Sequence, residues 1–340
     1  MTKTQLMITA LFILGLIGAY SVYQPFLLSL TVAVLLSMAT FNLTKHLVDF
    51  TGSAKISAGI STLLLTLLLF APIIYLATIG VGYISQIDQQ GVKETLTALR
   101  AIADEVPFLK ELTHQYMSDE RITEYIKAST AYLTIAGSTG LGFMKNMLFV
   151  VFFYFFINYY GNRFFDTILE LLPVSPQRGE RMMKEVSATM EIVFYSIIVT
   201  AIFEGLLFGG IMAFFGFNGI FFGVIYGFAS LIPIIGGVIV WVPVALYVWT
   251  KIDVQTALII VSYSVIVISV IADTFIKPVI IEIIKRDFLK STLQINSILI
   301  FFSILAGMST YGFWGMILGP AITSFLIAIT KVYLDYSDTN

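Results

Sequence analysis

Apolar runs of about 15 to 30 residues, separated by short polar interruptions, recur from one end of the chain to the other. That rhythm predicts membrane-crossing helices, because a hydrocarbon core about 30 Å thick takes about 20 apolar residues at 1.5 Å each. Leu6 to Val22 and Phe26 to Phe41 are the first two runs. Gln24-Pro25 between them predicts a tight hairpin, since proline breaks the helical hydrogen-bond ladder and favours a turn. After a polar linker, Asn42 to Lys55, the run Ile56 to Ile84 is longer than one span needs. Leu141 to Tyr160 is crowded with Phe149, Phe152, Phe153, Phe155 and Phe156 and ends on Asn158-Tyr159-Tyr160, as helices do at a bilayer interface. Ile192 to Phe215, Thr256 to Ile276, Leu293 to Met308 and Trp314 to Tyr333 supply the remaining single spans.

Two stretches depart from this rhythm. From Gln86 to about Ala131 charged residues are dense, among them Asp88, Lys93, Glu94, Arg100, Asp104 and Glu105. Val92, Leu96, Leu99 and Ile102 recur there at helical spacing, and Ser118 before Asp119-Glu120 reads as an N-cap. The pattern predicts a small helical insertion outside the bilayer, too short to hold an enzyme core of its own. The other departure runs from Gly219 to Thr250. It is apolar throughout, yet Ser230-Leu231-Ile232-Pro233-Ile234-Ile235-Gly236-Gly237 interrupts it, and Pro243 follows. Each half holds about 15 residues and rises about 22 Å, short of a full crossing. Irregular backbone at membrane depth survives only against protein or a water-lined cavity. We therefore read 219–250 as a re-entrant helical hairpin and a pathway element.

Charge gives the expected topology. Lys45 and Lys55, then Arg163, Arg178, Arg181 and Lys184, then Lys277, Lys285, Arg286 and Lys290, then Lys331, all fall on one side, which is the cytoplasmic one. Both termini are expected there. Gln24-Pro25, Phe217-Asn218 and Ser309 to Gly312 fall outside, and so does the charged insertion. The segment from Gly219 to Lys251 then begins and ends outside. The expected architecture is all-α: a polytopic membrane helical protein with a re-entrant helical hairpin and a small extracytoplasmic helical insertion. Its parts are 1–85, an N-terminal transmembrane hairpin and third span; 86–137, the insertion; 138–160, the aromatic span; 161–190, a cytoplasmic linker; and 191–340, a C-terminal transmembrane core.

Composition agrees and narrows the function. Hydrophobic residues make up 58% of the 340 and charged residues only 12%, half the share usual in soluble domains. The formal net charge of −2 shows no basic surplus, so nucleic acid is no expected partner. The absence of cysteine removes disulfides, thiolate zinc sites and cysteine nucleophiles. The first run lacks a cleavage pattern and reads as an anchor helix. His46 and His114 lie far apart in polar segments, and no GxxxxGK[ST] loop occurs. We expect no enzyme, no cofactor and no metal site. Work must come from partners or from a gradient, with coupling to H+ or Na+.

Ionisable residues inside apolar runs are the sharpest chemical signal, since each costs about 2.5–3.5 kcal/mol at a helix centre. Glu204 lies near the middle of Ile192 to Phe215 and has no local partner. Asp273 lies four residues before Lys277, so the two share a helix face. Lys277 either neutralises a buried carboxylate or borders a pathway, and spacing leaves both open. Gly219, Gly223 and Gly227 stand four apart and predict close helix packing, as do Gly315, Gly319 and Pro320.

Three patterns in series carry a resemblance: Pro233-Ile-Ile-Gly236-Gly237 with Pro243, Asp273-Thr-Phe-Ile-Lys277-Pro278, and Gly307 with Gly312-Phe-Trp-Gly315-Met-Ile-Leu-Gly319-Pro320. Together they resemble the autoinducer-2 exporter family of bacterial permeases, over essentially the whole chain. The resemblance implies a multi-pass inner-membrane transporter with lipid around it, assembled as a homo-oligomer, a pentamer among the forms it allows. It also implies export of the quorum-sensing molecule autoinducer-2, or sodium (lithium)/proton antiport. No contact list is carried over. The pathway candidates are Glu204, Pro233, Gly236, Gly237, Pro243, Asp273, Lys277, Pro278, Gly312, Gly319 and Pro320.

The leading expectation is a gradient-driven exporter of a small polar molecule. A monovalent cation/proton antiporter using Glu204 or Asp273 is the second. The third is a non-transporting membrane scaffold that docks a partner through 86–137.

Overall fold

The computed structural model describes residues 3–85, 142–171, 175–232, 235–284, 286 and 297–337, with Thr97, Arg100, Ala101, Asp104 and Arg121 as single positions. Among the described residues no strand occurs. An apolar solvent enforces that outcome, because a helix satisfies each backbone N–H and C=O within its own segment. Among the described residues six stretches are long and apolar enough to cross a bilayer: Lys3–Ala39, Ala54–Gly80, Gly142–Tyr160, Pro176–Phe214, Val254–Ile283 and Ile298–Thr330. The protein is an all-α polytopic membrane protein.

In chain order the helices are α1 (Lys3–Ala39), α2 (Phe41–Thr51) and α3 (Ala54–Ser85), then α4 (Gly142–Tyr160). They continue with α5 (Asn162–Leu171), α6 (Pro176–Phe214), α7 (Gly219–Ala229), α8 (Gly236–Lys251) and α9 (Val254–Tyr263). A π-helical segment (Ser264–Ile276) leads into α10 (Lys277–Ile283), and α11 (Ser297–Tyr311) and α12 (Gly315–Ser337) close the chain.

The N-terminal hairpin expected at Gln24-Pro25 does not form: α1 runs unbroken through Pro25 for 37 residues. Proline removes one hydrogen bond at about 3 kcal/mol, whereas a turn in an apolar run strands several backbone groups at once. Continuation costs less. The linkers are helical too. Most of Asn42 to Lys55 folds as α2, capped by Gly52 at φ 67° with its N–H on the Val48 carbonyl, and within 161–190 the described residues include α5 and the first turns of α6. The insertion expected at 86–137 lies outside the described residues, apart from single positions such as the Arg100–Asp104 pair at 3.9 Å.

Two compact units divide the chain: Met1–Leu65, Phe143–Glu191 and Leu293–Asn340 in the first, Thr66–Gly142 and Ile192–Thr292 in the second. In the first, Met147, Val150, Tyr154 and Ile157 recur at three- and four-residue spacing and are buried, so α4 points one face inward. Phe26 meets Phe149 edge-on, ring centres 5.0 Å apart. α11 and α12 form a hairpin that turns at Gly312, φ 58°, a left-handed backbone that glycine adopts without strain. Gly307 packs on Gly315 and Gly319 on Ser303, backbone against backbone.

In the second unit α6 and α7 form another such hairpin. Gly216 turns the chain at φ 82°, and the Asn218 side chain accepts the Phe221 N–H at 3.0 Å to cap α7. Gly205 faces Gly223, Gly209 faces Gly219 and Ala201 faces Gly227, and a Cβ added at Gly205 would stand 2.6 Å from the Gly223 carbonyl oxygen. The glycine spacing read in α7 thus finds its partners in α6. Between α7 and α8 the helix is interrupted from Ser230 to Ile235, with Pro233 and Ile234 outside the described residues. The two helices hold 11 and 16 residues, about 16 and 24 Å. Both fall short of a full crossing, in keeping with a re-entrant element. Asp253 caps α9 by accepting the Thr256 N–H at 2.7 Å, and the Thr256 backbone and hydroxyl hold its carboxyl below the usual range.

Candidate functional site

Glu204 is 3% exposed on α6. An ion that deep in an apolar helix persists only with a partner, and the chain supplies one from 73 residues away. Lys277 Nζ donates to Glu204 Oε1 at 2.9 Å and to Asp273 Oδ1 at 3.3 Å. The Asp273–Lys277 pair follows from four-residue spacing and was legible in the sequence. The Glu204–Lys277 pair was not, because only folding brings α6 to the end of the π segment. Both ends of the cluster lie in the second unit.

Tyr226 on α7 connects this cluster to the interrupted segment. Its ring stacks on Phe208, one turn beyond Glu204, with centres 4.5 Å apart, and it lies within electrostatic reach of Glu204 and Asp273. A side chain at Gly237 would collide with the Tyr226 hydroxyl, and one at Gly236 with the Ala229 carbonyl. These two glycines let α8 start flush against α7. Pro243 is exposed within α8, and Pro278 is exposed in α10 beside Lys277. Pro233 lies outside the described residues. Gly312, Gly319 and Pro320 belong to the first unit, where Gly312 turns the α11–α12 hairpin and Gly319 packs it. The structure therefore gathers Glu204, Asp273, Lys277 and, through Tyr226, Gly237, and gives the other candidates packing positions or none.

Trp241, Ala245, Trp249, Ala257 and Val261 line an apolar cavity of about 160 Å³ between α8 and α9.

The first unit holds polar groups that sequence reasoning missed. Ser37 and Thr44 both donate to Asn158 Oδ1, at 3.1 and 3.3 Å, and Thr40 pairs with the Tyr154 hydroxyl at 2.7 Å. Glu191, 6% exposed, accepts from Asn42 Nδ2 at 2.9 and 2.8 Å through its two oxygens. Asn158 sits where an interface was expected. Burial separates it from Tyr159 and Tyr160, and the partners that bury it come from α1 and α2, which no spacing within α4 encodes. Asn42→Ala removes the donor that Glu191 holds, and we expect a loss of about 1–3 kcal/mol, read as a lower Tm in detergent and relieved by adding Glu191→Leu.

Residues 6–335 match the family model described as AI-2E family transporter. A candidate transport protein of Helicobacter pylori strain J99 is 33% identical over 341 residues, covering 98% of this chain and 97% of its own. One from Aquifex aeolicus strain VF5 is 25% identical over 274 residues, covering 75% and 72%.

Proposed function

Because the chain belongs to the AI-2E family of transporters, we propose that it is a gradient-driven exporter of a small polar solute, autoinducer-2-like in class, with the Glu204–Lys277–Asp273 cluster bordering its pathway. The observation that carries this reading is Lys277 held between two carboxylates, one of them buried mid-helix. Such a cluster can exchange partners: a solute hydroxyl or carbonyl, or a proton, that takes one carboxylate leaves Lys277 on the other. The close approach of Gly237 to the Tyr226 hydroxyl supports including the start of α8 in that pathway.

The same carboxylates would serve monovalent cation/proton antiport, which Glu204 favours as the most buried acid of the cluster. Membership of a transporter family leaves the scaffold reading without support. On our reading the protein lies in the bacterial inner membrane as a homo-oligomer with a cytoplasmic C-terminus. Reading the unbroken α1 as a single crossing, we propose an N-terminus opposite Lys45 and Lys55, where a hairpin would have kept it on their side.

Reconstituted vesicles test the reading. Asp273→Asn is expected to lower solute efflux at least about tenfold while the protein still inserts and folds. Wild-type efflux from the folded variant would remove the cluster from the pathway. Sodium- or lithium-dependent proton flux without solute efflux would select antiport.

A further inference from the structure

We propose that a hydrated proton route passes through Glu204, lined by buried hydroxyls on α6 and on the π segment; it rests on the transport reading above. Among the described residues four buried side-chain polar atoms have no hydrogen-bond partner: Ser196 Oγ, Thr200 Oγ1, Ser264 Oγ and Trp241 Nε1. The three hydroxyls lie on the two helices that Lys277 joins. Ser196, Thr200 and Glu204 stand four residues apart and share one face of α6. Ser264 precedes Asp273 by nine residues and Lys277 by thirteen, close to two and three turns of a π-helix with about 4.4 residues per turn. The π winding thus aligns Ser264 with the charged pair, which α-helical winding would have turned to the opposite side.

Two links show that α6 and the π segment run in opposite directions: Lys277 reaches Glu204, and Tyr263, earlier in its helix, reaches the Leu207 carbonyl, later in α6, at 3.3 Å. Ser196 and Thr200 therefore lead away from the cluster one way and Ser264 the other. A helical hydroxyl ordinarily donates to the carbonyl one turn back, as Thr250 and Thr330 do. These three do not, although Ser196, Thr200 and Ser264 are 8%, 5% and 0% exposed. Left bare, each hydroxyl forfeits the hydrogen bonds it would make with water. Successive positions on the α6 face are about 6 Å apart, a gap that one water closes with two hydrogen bonds.

The groups facing Glu204 are Lys277 and Asp273 from the π segment and α10, and the Tyr226 hydroxyl from α7. A proton arriving along the waters forms an O–H bond on the Glu204 carboxylate as one breaks on the donating hydronium. Lys277 then keeps Asp273 as its counter-charge. The Glu204 O–H bond then breaks as a water on the Ser264 side takes the proton to form hydronium, which restores the Glu204–Lys277 pair and completes the transfer.

The chain has no cysteine, so single thiols report without background. In reconstituted vesicles Ser196→Cys, Thr200→Cys and Ser264→Cys are expected to react with silver ion, a probe of bare-cation size, at least about tenfold faster than the outward-facing controls Ile202→Cys and Leu206→Cys, because thiols react as thiolates, which need water. Thr200→Val is expected to slow proton flux down a pH gradient about tenfold, and Thr200→Ser to restore it. Reaction no faster than the controls, or wild-type proton flux through Thr200→Val, overturns the route. Fast silver reaction and proton flux without solute efflux leaves the route standing and removes the export reading alone.

Discussion

Lys277→Met is expected to cost about 3–5 kcal/mol of stability, because it strands Glu204 as an unpaired charge whose side chain is 4% exposed. The loss comes less from the missing attraction than from leaving a carboxylate in an apolar surround. Removing both charges together is therefore expected to be milder. The double variant Glu204→Gln/Lys277→Met should melt above Lys277→Met in detergent, with the coupling between the two sites read from the cycle. Asp273 is 41% exposed at its side chain and its loss leaves Lys277 paired with Glu204, so Asp273→Asn should barely move Tm. If Lys277→Met melts with the wild type, the bridge does not hold α6 to the π segment.

Gly223→Leu is expected to force the α6–α7 hairpin apart. A Cβ at Gly223 would stand 2.8 Å from the Gly205 carbonyl oxygen and 3.4 Å from the Gly209 Cα. No side chain can rotate away from a backbone, so the hairpin must open along its length, at about 3 kcal/mol or more. Loss of folded protein after detergent extraction is the expected readout. Gly210→Leu is the control, since Gly210 has nothing within 4 Å of an added Cβ, and it should extract like the wild type. Equal yields from both would show that the α6–α7 contact does not need glycine.

The apolar spans and the close-packing glycines of α7 and α12 were legible because bilayer thickness and small-residue spacing are local properties, written every few residues. The interrupted segment was legible for the same reason: Pro233 and the Gly236-Gly237 pair break the pattern where they stand. Pro25 was misread because a proline has one local meaning in water and another in lipid, where the helix around it has nowhere better to place its backbone. The Glu204–Lys277 bridge, the Asn42–Glu191 pair and the Asn158 cluster were not legible at all. Each joins residues more than 70 positions apart, and no periodicity within one helix encodes which distant helix will lie against it.

The backbone-to-backbone seam between α6 and α7 has a mechanical consequence. Two rods in contact through side chains can slide, because side chains change rotamer. Rods whose carbonyls rest on each other's glycines share one bending stiffness. Glu204 sits next to Gly205 at that seam, so its carboxylate and the Tyr226 ring on α7 are carried by one stiff body.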